Sequence, residues 1–148
     1  MPTGFDALAG HRMDEAAMDR LLRERGIGVL SMTNGDRPYG VPLSFGYAGG
    51  DRLYFLFAGH SESGRKETYA ERSETASFLV YDVDAGGWRS VIVEGPISRI
   101  TIDEWDAARE AMGENAYRPE LVTAVDPRED PRVWALEIER KTGRTAEG

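Results

Sequence analysis

The densest chemistry in the sequence lies in Gly59-His60-Ser61-Glu62-Ser63-Gly64-Arg65-Lys66, where a strand-like run gives way to the start of a helix. The first turn of a helix carries free N–H groups and a partial positive charge, so it normally recruits acidic residues. Arg65 and Lys66 there run against that field. A bound anion reverses the sign: N–H groups, two cations and nearby hydroxyls would then all point at it, as they do around a phosphate. A second reading stays open at this stage, in which Arg65 and Lys66 pair with Glu62, Glu67 or Glu71 on the surface. Only one other lysine, Lys141, occurs in the chain, which tilts the balance towards phosphate.

The remaining inventory is thin. Gly59 and Gly64 have the glycine spacing of a nucleotide P-loop, but Arg65 stands where that motif needs lysine and Lys66 where it needs serine or threonine. The loop also needs a βαβ crossover, and this chain reads as hairpins. His11 and His60 are the only histidines and lie far apart in sequence, so no metal-ligand spacing is present. Ser44, in Val41-Pro42-Leu43-Ser44-Phe45-Gly46, lacks a nucleophile elbow. With 26 carboxylates, any chosen acidic pair is unspecific. Chemistry in this chain would have to come from a cofactor.

The elements that would position the turn follow from periodicity. Asp14 to Arg25 predicts a helix, with Ala17, Met18, Leu21 and Leu22 on one face and Gly26 as the stop. Ile27 to Asn34, Tyr39 to Tyr47 and Arg52 to Ala58 predict three strands. The turns Gly35-Asp36-Arg37-Pro38 and Ala48-Gly49-Gly50-Asp51 would join them into an antiparallel meander. The loop Gly59 to Ser63 leads to a helix over Gly64 to Arg72. Thr75 to Asp82 and Trp88 to Thr101 predict a fourth and a long fifth strand around Asp84-Ala85-Gly86-Gly87, with Pro96 marking a bulge or an edge. Asp103 to Met112 predicts a helix with Asp103 as N-cap, and Tyr117 to Asp130 an irregular stretch. Arg132 to Arg140 is the sixth strand, with a frayed tail from Lys141. The resulting fold class is mainly β (α+β): a six-stranded antiparallel barrel with flanking helices, closed so that no edge is left bare.

Size and charge bound the rest. A chain of 148 residues makes one domain, residues 1–148, and buries roughly 70% of its unfolded surface. There is no cysteine, which excludes disulfides, thiolate metal sites and cysteine nucleophiles. The first twelve residues lack the apolar core of a signal peptide, and no apolar run approaches the ~20 residues of a membrane span. A cytoplasmic protein is expected. The net charge of −8 argues against nucleic acid and anionic membranes as partners. An acidic chain with two lysines among 18 basic residues suits a halophilic proteome, in which charges are screened, or an ordinary acidic protein from a high-GC genome.

Three segments in order resemble one family. Tyr39-Gly40-Val41-Pro42-Leu43-Ser44-Phe45 is similar to the second-strand motif of the FMN-binding split barrels, the pyridoxamine 5′-phosphate oxidase-like superfamily. His60 to Lys66, ending Gly-Arg-Lys, resembles that family's phosphate-binding turn. Trp88-Arg89-Ser90-Val91-Ile92-Val93-Glu94-Gly95 resembles its later glycine-ended strand, and Thr142-Gly143-Arg144 matches a frequent family ending. The resemblance covers Asp14 to Thr101 well and the rest loosely. It implies a split barrel that forms a homodimer with FMN in the groove between two copies. Arg65 and Lys66 would hold the phosphate with His60 and Ser61. Tyr39, Val41, Pro42 and Leu43 would line the isoalloxazine, and Trp88 and Ser90 would reach it from the partner subunit. Read without the resemblance, Val41 and Leu43 are plain core and Trp88 is a barrel-end aromatic.

The resemblance departs at the C-terminus. The substrate-binding tryptophan–arginine signature of the pyridoxamine oxidases is missing, and Trp134 sits inside a strand instead. This points away from pyridoxal phosphate synthesis and towards the short relatives of the nitroimidazole-resistance type, in which a histidine placed like His60 is common. The expected function is a flavin-dependent oxidoreductase that passes electrons to a small, planar electron acceptor. The alternatives are a deazaflavin reductase of the same fold and a non-enzymatic flavin- or haem-binding protein.

Overall fold

A computed structural model describes residues 9–57, 63–115 and 133–147, with the backbone alone for 63–67 and 147. The loop from Gly59 and the irregular stretch Tyr117 to Asp130 lie outside them. The elements are β1 (His11–Arg12), α1 (Glu15–Glu24), β2 (Ile27–Thr33), β3 (Pro38–Ser44), β4 (Arg52–Leu56), α2 (Ser63–Arg72), β5 (Ala76–Asp84), β6 (Gly87–Gly95), β7 (Ile97–Arg99), a short 3-10 turn (Ile102–Glu104), α3 (Trp105–Gly113), β8 (Val133–Glu137) and β9 (Arg140–Glu147). Every strand pairing is antiparallel. One sheet of six strands runs β1-β9-β6-β5-β2-β3, and a second of three runs β4-β8-β7. The mainly β split-barrel class with flanking helices is therefore the fold. The large sheet does not close on itself: among the described residues its ends are β1 and β3.

Register explains the main core. The row Val93, Phe78, Leu30 and Val41 runs across β6, β5, β2 and β3, all on the inner face. Opposite it, Leu53, Phe55, Trp134 and Leu136 project from the small sheet into the same cluster. The other face of the small sheet, with Tyr54, Val133 and Ala135, packs on Ala108, Ala111 and Met112 of α3. Strands β4 and β8 of the small sheet are thus buried on both faces, which is why they read as apolar runs. Helix α1 starts as its sequence predicts. The Asp14 carboxylate accepts from Ala17 N–H at 2.8 Å, and Met18, Leu21 and Leu22 turn into the core.

Besides the expected closure of the barrel, which the open ends β1 and β3 correct, four expectations are corrected. The meander breaks after Ser44, where the chain meets β4 only through the Gly46–Tyr54 bridge. Gly46 lies against α3, and a Cβ there would come 2.5 Å from the Met112 nitrogen. The chain bends off the sheet edge at that point, and doubly buried β4 joins β8 instead. The long fifth strand is two strands in two sheets. Pro96 is the corner between them, its carbonyl accepting from Glu137 N–H at 2.9 Å. Asp103 is not a cap. It lies in the 3-10 turn, whose N-cap position is Thr101, without a side-chain bond. The tail from Lys141 is not frayed. It is β9, hydrogen-bonded between β6 and β1, so the Thr142-Gly143-Arg144 ending lies within a strand. Its polar sequence hid it. Gly143 packs under Met13 and Met18, and Lys141 reaches Glu15 at 2.8 Å from an almost buried position. No helix among the described residues is long and apolar enough to cross a membrane.

Candidate functional site

Helix α2 is fixed at its C-terminal end by Ser73. That buried hydroxyl accepts from Thr33 N–H and donates to the Thr33 carbonyl, both at 2.9 Å, tying the helix to the end of β2. One turn earlier, Tyr69 stacks on Tyr39 of β3, with ring centroids 4.8 Å apart and planes 24° from parallel. These two anchors hold α2 alongside the β2–β3 hairpin. Arg65 and Lys66 fall in the first turn of α2, one turn before Tyr69, and that turn holds no acidic residue. The other two helices place Glu15 and Asp106 in theirs. His60 and Ser61 lie outside the described residues.

Strand β3 is the last strand of the large sheet. Tyr39, Val41 and Leu43 alternate onto its inner face, Leu43 buried and the other two partly so. Pro42 points outward and is exposed. An edge strand leaves backbone N–H and C=O groups without a strand partner, and proline is tolerated there because it has no N–H to lose. Among the described residues, Tyr39 to Leu43 therefore form the edge of the sheet beside α2, a ledge of backbone groups and one aromatic ring.

Trp88 and Ser90 are placed elsewhere. They lie on the outer face of β6, Trp88 between Val83 and Ala146 and Ser90 between Tyr81 and Arg144. Two strands, β5 and β2, separate them from β3, so at ~4.8 Å per strand the gap is about 14 Å. A single copy brings Tyr39, Val41, Pro42 and Leu43 together with α2, but not with Trp88 and Ser90. Trp88 also lines a cavity of about 300 Å³ at the β5–β6 turn, with Asp82, Arg89 and Thr145. There Arg89 binds Asp82 at 2.8 Å and Glu24 at 3.2 Å, and the guanidinium holds the Asp82 carboxyl below its ordinary pKa.

The outer face of the large sheet is apolar along a diagonal. Ile92, Leu79, Val29 and Pro42 form one row across four strands, flanked by Ile27, Tyr81 and Val83. Tyr81 is 54% and Val83 67% exposed, although neither lies at a chain end. Sequence reasoning missed this face. Its signal was the unbroken Phe78-Leu79-Val80-Tyr81 run, which puts apolar groups on both sides of β5. It also missed Tyr69 and Ser73, whose roles depend on distant partners. Among the described residues no group of three or more His, Asp or Glu side chains could hold a metal. Tyr47, on the wall of a second cavity of about 190 Å³, donates to Asp19 at 2.7 Å. Burial, reinforced by that bond, raises the Tyr47 pKa, and the same bond lowers that of Asp19.

A family model described as pyridoxamine 5′-phosphate oxidase matches residues 14–145. No curated protein matches the chain. Among solved structures, a FAD-binding protein from Mesorhizobium loti superposes with a TM-score of 0.71 at 21% identity, covering 92% of this chain and 97% of that one. A candidate 5-nitroimidazole antibiotic resistance protein from Bacteroides thetaiotaomicron gives 0.69 at 18% identity, over 91% and 86%. A FAD- and heme-binding protein from Mycobacterium smegmatis gives 0.69 at 19% identity, over 91% and 72%.

Proposed function

Because the chain belongs to the pyridoxamine 5′-phosphate oxidase family, we propose that it binds flavin mononucleotide as a homodimer and serves as a flavin-dependent oxidoreductase for a small molecule. The observation that carries this reading is the placement of α2. Its first turn offers two cations and no acid, and Tyr69 and Ser73 hold it beside the β3 ledge. That donor set fits a phosphate next to a flat ring system. Arg65 and Lys66 bind the phosphate, with His60 and Ser61, which precede α2 in the sequence, adding donors. Tyr39, Val41, Pro42 and Leu43 support the isoalloxazine from the ledge.

Trp88 and Ser90 cannot reach that ledge from the same copy, so a second copy supplies them. The exposed apolar diagonal of Ile27, Tyr81, Val83 and Ile92 favours such a partner, because a patch of this kind on a sheet face marks an interface. The bound flavin supplies the electron transfer, while this chain's groups hold and orient it and exclude water from the groove. A planar acceptor would stack where Trp88 closes the site. The FAD-binding neighbours support a flavin, and the mononucleotide is favoured because the cationic turn suits one terminal phosphate. The heme named for the Mycobacterium protein supports haem as a second reading.

Visible absorption spectra of the purified protein with added FMN and, separately, with added haemin test the assignment. A perturbed flavin band that co-elutes with a dimer is expected. A Soret band on haemin addition with no perturbation by FMN would move the assignment to haem.

A further inference from the structure

Among the described residues, one buried side-chain nitrogen or oxygen lacks a hydrogen-bond partner: Nε1 of Trp134. Trp134 sits in β8, the middle strand of the small sheet, and is 4% exposed. An indole nitrogen is a donor only. When buried it ordinarily finds an acceptor, and left dry it costs stability. The neighbours on its face, Leu53, Phe55 and Leu136, are fully buried and apolar, so a phenylalanine would fill the same place without that cost. A trapped water is a poor remedy, since it needs two or more polar partners of its own.

The surroundings say what kind of acceptor would fit. The Trp134 ring stacks on Phe57 at 5.7 Å and 24°, and the Arg99 guanidinium lies 5.6 Å over it. Phe57 directly follows β4, at the end of the strand from which the chain runs on to α2. Arg99 is in β7, against which α2 packs. Trp134 therefore lies where β4 ends and β7 meets α2, with the Arg99 cation over its ring, a setting that favours an oxygen-bearing ligand.

We propose that the Trp134 Nε1–H donates a hydrogen bond to an oxygen of the phosphoribityl chain of the bound flavin. The inference rests on the flavin reading above and adds a binding residue to it. The test is an NMR titration of the full chain, carrying ¹⁵N-labelled tryptophan, with FMN, while the visible spectrum reports flavin binding independently. Three indole signals are expected, from Trp88, Trp105 and Trp134. Trp105 packs in the α3 cluster beyond the small sheet and serves as the unmoved reference.

The Trp134 signal should shift as flavin binds, and the Trp105 signal should not. Trp134→Phe should lower FMN affinity about tenfold, the worth of one such bond, while leaving the unfolding midpoint of the ligand-free protein unchanged or higher. Flavin binding with a still Trp134 signal, or undiminished binding in Trp134→Phe, would overturn the proposal and leave the flavin reading standing. Absence of flavin binding would overturn both. If Trp134→Phe does not fold, the wild-type titration decides, its signals assigned through Trp88→Phe and Trp105→Phe.

Discussion

Tyr47 and Asp19 show how single residues set the limits of this fold. The phenol is buried, and its bond to Asp19 is the first reason that carboxyl titrates below the usual carboxylate range. A folded pKa below the unfolded one adds stability that is present above about pH 4 and is lost as pH falls through the folded value. For Tyr47 the folded pKa is raised, so its contribution is present below about pH 10 and lost above it. Tyr47→Phe should cost about 1.5 kcal/mol at neutral pH, the low end for a bond to a charged group, because Asp19 stays partly solvated. Urea midpoints across the acid range would check this: the variant should lose less stability below pH 4 than the wild type. At this scale the sequence showed what residue type alone can show. Arg65 and Lys66 stand out because cations oppose a helix start. Trp134 and Tyr69 do not stand out, because an orphan donor or a stacked ring is defined by what surrounds it.

Gly95 carries the lesson for elements. It ends the glycine-closed motif of β6, and a Cβ there would sit 1.6 Å from the Glu137 carbonyl oxygen. Its role is to let β6 cross the small sheet as the chain turns at Pro96. Gly95→Ala should destabilise the protein by about 3 kcal/mol, since backbone cannot yield as a side chain tip does. Gly35→Ala, with nothing within 4 Å, pays only for its left-handed φ of 94°. The two urea midpoints should therefore differ clearly, and equal losses would contradict the crossing. Helix α1 and strands β2, β5 and β6 were legible because their periods are regular and their caps and turns local. Strand β9 was not, because its hydrogen bonds to β6 and β1 come from distant segments and its own sequence is polar. The destination of β4 was equally hidden. An apolar run shows that both faces are buried but not against what.

For the whole molecule, the open question set by the large sheet is what covers its outer face. A homodimer would cover the apolar diagonal and bring Trp88 and Ser90 to the other copy's ledge. Tyr81→Lys should then shift the protein to a monomer in sedimentation equilibrium without loss of fold, because Tyr81 is already 54% exposed within one chain. A wild-type monomer would contradict the pairing. If α2 holds the flavin phosphate, calorimetric titration with FMN and with riboflavin, which differ by that phosphate alone, will show it. FMN should bind at least ~100-fold more tightly, given two charge-assisted contacts, and Arg65→Ala/Lys66→Ala should erase the difference. Equal affinities of the wild-type protein for the two flavins would contradict the account.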